Sequence, residues 1–542
     1  MNHSINKLFR NLRQEFLFKL NIWTISATIL GLFLFFPMME VVWSLTDHST
    51  NWDHIKDTVL FSYLSNSFIL VFGTVFFSVL FGVLCAWLIA SCNFKGRKFF
   101  EWILVLPLAI PTYISAYAYF DILEILNPFL IWIRTNISFE AMQLVNNILV
   151  YLITILVMAS VLYPYIYLLV RASFLSQGKQ LIDAARTLGH NNKSIFWKIA
   201  LPMSRPAIVA GISLVIMETL NDYGAVKHFG ISTFTSGIFR TWLGMGDLTG
   251  ALRLAVFLML LIFFLLIIEK NLRSGSKYHL GLNSNSSSEK ISLNKNKSFI
   301  AIICCSIPLM LGFVIPIIRL TSWGWLTKAN TMEINIIELI INSLGLAIIT
   351  SIITVMTAIF LVFSARYYNN NLTYFSNRLA ILGYSVPGAV IAIGILLFLG
   401  KINAYTNYMI TGTLYLLILA YIIRFLAVAW QPINAGIEIN CDTLNHASRT
   451  LGTSTFRSLI SVNLPLIKNT ILTAGLLVFI DTIKELPLTL ILRPFNFETL
   501  ATRTFDLSGQ AQIIESSIPA LCIITIVVIP LIFLNYKMRN IK

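Results

Sequence analysis

The sequence predicts an all-α protein that crosses a membrane about twelve times, as two parallel repeats of six helices. Three observations carry that expectation. The 542-residue chain is 57% hydrophobic and only 12% charged, and its mean hydropathy of +0.79 lies outside the range of soluble domains. The apolar residues gather into runs about as long as the roughly 20 residues needed to cross ~30 Å of hydrocarbon. A polar motif also occurs twice, at Asp183 to Pro202 and again at His446 to Pro465.

Taken in order, the runs fall at 22–44, 66–90, 99–122, 145–170, 206–226 and 251–269, then at 298–320, 340–364, 378–399, 406–429, 470–492 and 517–536. Those at 99–122 and 470–492 are the weakest, because they contain charges or prolines. The first follows a basic segment, INKLFRNLRQEFLFKL. It is too long for a signal-peptide core and no small-residue cleavage site follows it, so it reads as a retained anchor. Residues 274–297, SGSKYHLGLNSNSSSEKISLNKNK, have no apolar period and read as a flexible linker. The linker separates a first half, 1–273, with its membrane core at about 62–269, from a second, 298–542, with its core at about 338–534.

A net charge of +15 could suggest nucleic acid, but its distribution supplies another reason. With both termini in the cytoplasm, most of the 39 Lys and Arg fall in inner loops, among them Lys95, Arg97, Lys98, Lys179, Arg186, Lys193 and Lys198. This is the positive-inside bias of a membrane protein, and it leaves no need for a nucleic-acid partner. The six cysteines have no spacing suited to metal or disulfide.

Aligned without a gap, seven of the motif's twenty positions are identical. Each copy lies between the fourth and fifth runs of its half, and an even number of spans separates them, so both face the same compartment. A short helix ends at Gly189 or Gly452, where glycine allows a helix-terminating backbone. A second helical piece then reaches Leu201-Pro202 or Leu464-Pro465. The expected product is a compact knob, with Ala184, Ala185, Ala447 and Ser448 small enough to let another protein approach. The same register continues into the fifth runs: Glu218 and Asp222 align with Asp481 and Glu485. Spaced i and i+4, each pair is expected on one helix face. Carboxylates within spans are costly and usually face a bundle interior, so these four could line a negatively charged path, or else serve as pairing and capping groups.

The pattern D/H-A-x-x-x-x-G, nine residues, I/V-x-L-P resembles the cytoplasmic motif of ABC importer permeases, whose first residue is usually Glu. That place is held here by Asp183 and His446, and Ser448 replaces the usual second Ala. The resemblance implies that the two loops are coupling helices seated on an ATPase subunit. No GxxxxGK[ST] phosphate cradle occurs, so ATP and Mg are expected on two copies of a partner ATPase, with no cofactor on this chain. The stretches LPLAIPTYISAYAYF (106–120), ETLNDYGAVKHFGISTFTSGIFRTW (218–242) and KELPLTLILRPFNFETLATR (484–503) look like the ferric iron ABC transporter permease family. That resemblance implies a type I ABC importer permease fold in a bacterial inner membrane, served by a periplasmic ferric iron-binding protein. Fused permeases for thiamine and aminoethylphosphonate look similar, and an ion-coupled secondary transporter remains the alternative from another class.

The first outer loop brings together Asp47, His48, Asp53, His54 and Asp57, which have the donor types for a transition metal. It reads as a solvated acidic loop rather than a metal site. No Ser/His/Asp or Cys/His constellation stands out, so no catalytic residue is expected.

Overall fold

The structure is a computed structural model that describes residues 21–47, 49–119, 121–176, 185, 187, 189, 191–274, 290–327, 335–368, 370–406, 411–440, 444, 447–448 and 450–540. Among these residues, eight helices are long and apolar enough to cross a membrane unaided: Ile22–Thr46, Leu60–Ser91, Phe139–Leu175, Leu248–Glu269, Lys295–Thr327, Ile336–Tyr368, Leu414–Glu438 and Ser517–Leu534. Four further helix pairs are long and apolar enough only when taken together, each bent by more than 40° at its break. These are Arg97–Ala109 with Thr112–Ala118 (93°), Lys193–Met203 with Arg205–Asn221 (66°), Asn371–Ser385 with Gly388–Asn403 (120°), and Thr455–Leu466 with Lys468–Lys484 (79°). Counting each pair once gives twelve, numbered here first to twelfth along the chain.

The bends break the helices expected at 99–122 and 378–399, whereas those of the fifth and eleventh spans, at Ser204 and Ile467, fall just before the runs 206–226 and 470–492. In the third and ninth spans the cause is local: Ile110 and Val386 each precede a proline and take extended conformations, with φ −93° and −97°. The fifth and eleventh spans end earlier than their apolar runs, at Asn221 and Lys484, and Pro487–Leu492 forms a separate short helix.

By contacts the chain divides into two compact units that cut across the sequence halves: residues 1–48 with 335–502, and residues 49–334 with 503–542. In the first unit the first span packs on the second half. Trp23 stacks on Phe360 at 5.6 Å, Phe36 meets Phe398 at 4.8 Å, and Lys401 Nζ pairs with Glu40 Oε2 at 2.6 Å. Close approach depends on Gly394, where a Cβ would lie 2.4 Å from the Pro37 carbonyl oxygen. Without a hydrophobic drive between helices in lipid, such small-residue contacts let backbones meet and gain dispersion energy.

The second unit mirrors this exchange with the seventh span, which packs on the first half. A Cβ at Gly312 would fall 2.1 Å from the Ser160 carbonyl oxygen. Tyr119 donates its hydroxyl to Leu311 O at 2.6 Å, and Arg319 pairs with Asp121. The entry to this span is also fixed, because Ile291–Ser292 pairs in parallel with Cys92–Asn93. The C-terminal end of the expected 274–297 linker is therefore ordered from Lys290 onward, held by backbone hydrogen bonds to the loop after the second span. Residues 275–289 lie outside the described residues.

Gly394→Leu should lower the thermal stability of the detergent-purified protein by about 1–3 kcal/mol, the usual cost of overpacking. Gly400→Leu, at a glycine with open space around it, is the control. Equal melting of the two variants by size-exclusion thermal shift would argue against this packing of the first span.

Candidate functional site

The described parts of the two copies of the repeated motif fold alike. Asp183, Ala184 and His446 lie outside the described residues; the remaining marked positions can be placed. Gly189 and Gly452 have φ of +81° and +75°, the left-handed region that side chains disfavour. Nothing lies within 4 Å of a Cβ built at either, so backbone geometry, not crowding, calls for glycine. In the second copy, Leu451 N–H donates to Ala447 O and Thr453 N–H to Ser448 O, both at 3.2 Å, closing the helix end. The next helix is capped at equivalent positions: Asn191 Oδ1 accepts from Ser194 N at 2.8 Å, and Ser454 Oγ accepts from Arg457 N at 3.4 Å. Matching π-helical turns follow, Phe196–Ala200 and Leu459–Asn463. Leu201 and Leu464 are half-buried, whereas Pro202 and Pro465 are exposed.

Two of the small residues, Ala185 and Ser448, act differently from the expectation that they admit a partner's surface. Ala185 and Ser448 are buried, and Ser448 Oγ shares a 3.0 Å hydrogen bond with Ser458 Oγ across the knob. Their size lets the knob close on itself. Ala447 is exposed. The apolar surface each knob presents comes instead from Trp197 and Ile460, which are equivalent positions 66% and 46% exposed, and from Leu451, 82% exposed.

The carboxylates also depart from expectation. Helix ends at Asn221 and Lys484 place Asp222 and Glu485 beyond their helices, so neither shares a face with its i−4 partner. Asp222 Oδ1 instead accepts from Ala225 N at 2.9 Å, and Glu485 Oε1 from Leu488 N at 3.2 Å, each capping the short helix that follows. Their backbone carbonyls are satisfied by Thr235 Oγ1 at 2.7 Å and Thr489 Oγ1 at 2.8 Å. The two sites balance side-chain length. Asp222 is reached by the Thr112 hydroxyl, while at Gly388, which like Thr112 follows the proline of a bent span, a Cβ would lie 2.5 Å from Glu485 Oε1. A shorter acid meets a longer neighbour in one unit, and a longer acid meets glycine in the other. Asp481 Oδ1 lies 3.6 Å from Lys484 Nζ, and Glu218 is half-buried.

With this geometry in hand, comparison with known proteins becomes specific. The family model described as binding-protein-dependent transport system inner membrane component matches residues 78–275 and again 358–541. The chain belongs to this family. Its two matches fall in the two sequence halves, each containing one knob and one bent fifth or eleventh span. Among relatives, the Fe(3+)-transport system permease protein FbpB 2 of Haemophilus influenzae is 26% identical over 94% of this chain and 97% of its own length. The sulfate transport system permease protein CysT of Salmonella typhimurium is 25% identical over 37% of this chain and 71% of its own. The molybdenum transport system permease protein ModB of Escherichia coli is 26% identical over 38% and 90%. These relatives are permease proteins of transport systems, not enzymes. Membership makes this chain the multi-pass membrane permease of an ABC importer that works with a substrate-binding protein and an ABC ATPase.

One residue of this permease was missed in the sequence. Arg424 is a buried arginine inside the tenth span, 4% exposed. Its Nη1 donates to the Tyr384 carbonyl at 3.2 Å and to that of Val386, the two left bare by the bend of the ninth span. An arginine amid YLLILAYIIRFLAVAW was the available signal. The Asp47–Asp57 loop does not gather: among the described residues, no group of three or more His, Cys, Asp or Glu is placed to hold a metal. His48 lies outside them.

Gly388→Thr should clash with Glu485, lowering stability by about 1–3 kcal/mol and reducing transport. The double variant Gly388→Thr/Glu485→Asp rebuilds the Thr112–Asp222 arrangement and should recover most of both. A double variant no better than the single one, by thermal shift and uptake, would contradict the size compensation.

Proposed function

We propose that the chain is the permease of a ferric iron importer of the bacterial inner membrane, with both termini in the cytoplasm and one ATPase copy under each knob. The knobs, one in each of 1–273 and 298–542, are the coupling surfaces. Trp197, Ile460 and Leu451 supply apolar contact, and the chain itself holds no cofactor, ATP and Mg residing on the ATPases. The observation that supports the iron reading is the colinear match to the Haemophilus protein through both fused halves. Charge adds little to it, because Asp222 and Glu485 are engaged as caps and Asp481 pairs with Lys484. An oxyanion cargo is the second reading, favoured by the sulfate and molybdenum permeases at similar identity over one half.

Reconstitution with the cognate ATPase and binding protein separates the two. Iron-loaded binding protein should stimulate ATP hydrolysis severalfold above the apo protein; stimulation by a sulfate- or molybdate-loaded protein and none by iron would remove the iron assignment.

Gly189→Val and Gly452→Val force a β-branched residue into left-handed backbone, at a cost of about 1–3 kcal/mol concentrated in the knob. Both should insert normally in the membrane yet lose most binding-protein-stimulated hydrolysis. Wild-type uptake by both variants would sink the docking role.

A further inference from the structure

The parallel pairing of Cys92–Asn93 with Ile291–Ser292 does more than guide the chain into the seventh span. Leu293 N–H extends the pairing to Asn93 O at 3.3 Å, and the helix starts two residues later at Lys295. Between this pairing and the first turns of the helix lies a cavity of 890 Å³, with Asn93, Lys95, Ser292, Lys295, Asn296 and Phe299 in its lining. Its chemistry is divided. Lys95 and Lys295 stand at the polar end, with Lys98 and Lys297 nearby in sequence, while Phe299 and Ile300, 64% and 59% exposed, continue along the span as an apolar wall.

Among the described residues the basic end has no internal counter-charge: Glu101, the carboxylate nearest to Lys95 along the chain, is taken up by Arg97 at 3.5 Å and by Arg171, and Glu289, before Lys295, lies outside them. Among the described residues no carboxylate pairs with Lys95 or Lys295. The cavity lies where the second span ends and the seventh begins. A ligand that fits both ends must carry a negative head and an apolar tail.

We propose that this cavity binds the headgroup of an anionic phospholipid, its phosphate held by Lys95 and Lys295 and its acyl chains laid along Phe299 and Ile300. Basic pockets at the ends of spans suit such headgroups, each lysine near the surface being worth about a fivefold gain in binding. The amides of Asn93 and Asn296 and the Ser292 hydroxyl add neutral donors for glycerol and phosphate oxygens. The bound lipid would pin the seventh span, which comes from the second sequence half, to the loop after the second span. The site does not depend on the iron assignment.

The test is native mass spectrometry of the delipidated full-length protein titrated with phosphatidylglycerol or phosphatidylcholine. Wild type should retain phosphatidylglycerol at least about fivefold better than phosphatidylcholine. Lys95→Gln and Lys295→Gln should each lose about fivefold of that retention, and Lys468→Gln, an exposed lysine elsewhere, should lose none. Melting curves check that each variant is folded, and either single variant serves if the other is not. Equal retention of the two lipids, or unchanged retention in both variants, overturns the proposal. So does displacement of phosphatidylglycerol by millimolar inorganic phosphate, which would mark a free-anion site instead.

Discussion

In hydrocarbon there is no water to accept an unpaired backbone group, so every break in a spanning helix must be satisfied by the protein itself. This chain breaks four of its spans, and at the breaks of the third and ninth side chains stand in for the missing helical partners. In the third span, Tyr163 and Tyr167 of the fourth donate to Leu104 O at 2.8 Å and Glu101 O at 2.9 Å. In the ninth, Arg424 covers two carbonyls at once. After the fifth and eleventh, a carboxylate caps the next helix while a threonine hydroxyl covers that residue's own carbonyl. The polar residues inside the membrane are thus first of all a condition for the bends, and the bends shape what the permease can do.

That constraint explains which features were legible in the sequence. The apolar runs and the repeat could be read directly, because span length and internal similarity are properties of the chain alone. Gly189 and Gly452 were legible for a local reason, a left-handed backbone that glycine tolerates best. The bends were not. Pro37, Pro164, Pro308, Pro432 and Pro530 all sit inside helices that continue past them, while Pro111 and Pro387 mark breaks. A proline weakens a helix wherever it stands past the first turn. Whether the helix parts there depends on partners such as Arg424 or Tyr163 arriving from elsewhere in the chain, and one segment's sequence does not show them.

The exchange of first spans was hidden for the same reason. Nothing in Ile22–Thr46 announces that its place is against residues more than three hundred positions later. The contact is written in pairs, a glycine on one helix and a carbonyl on another, at Gly394 with Pro37 and at Gly312 with Ser160. Each half therefore lends its leading span to the other's bundle. A chain built this way gains from fusion, since the exchanged elements are covalently tied and the ordered end of the linker fixes where the seventh span begins.

The carboxylates connect these levels. Their recurrence in register invited a reading as charge along a path, and the geometry supplies a backbone reason for two of them instead. The exchange of Asp222 with Thr112 for Glu485 with Gly388 keeps a cap in place while side-chain length moves from one partner to the other. A group selected for its charge alone would need no such compensation in its neighbour. A capping group does, because the cap depends on distance. Nor does a permease need fixed charges that hold its cargo: tight binding inside the membrane would slow release, and selection can be made by the binding protein before the cargo arrives. The repeat preserves in each half a backbone path with two bends and one knob, and leaves the side chains free to reach it by different routes.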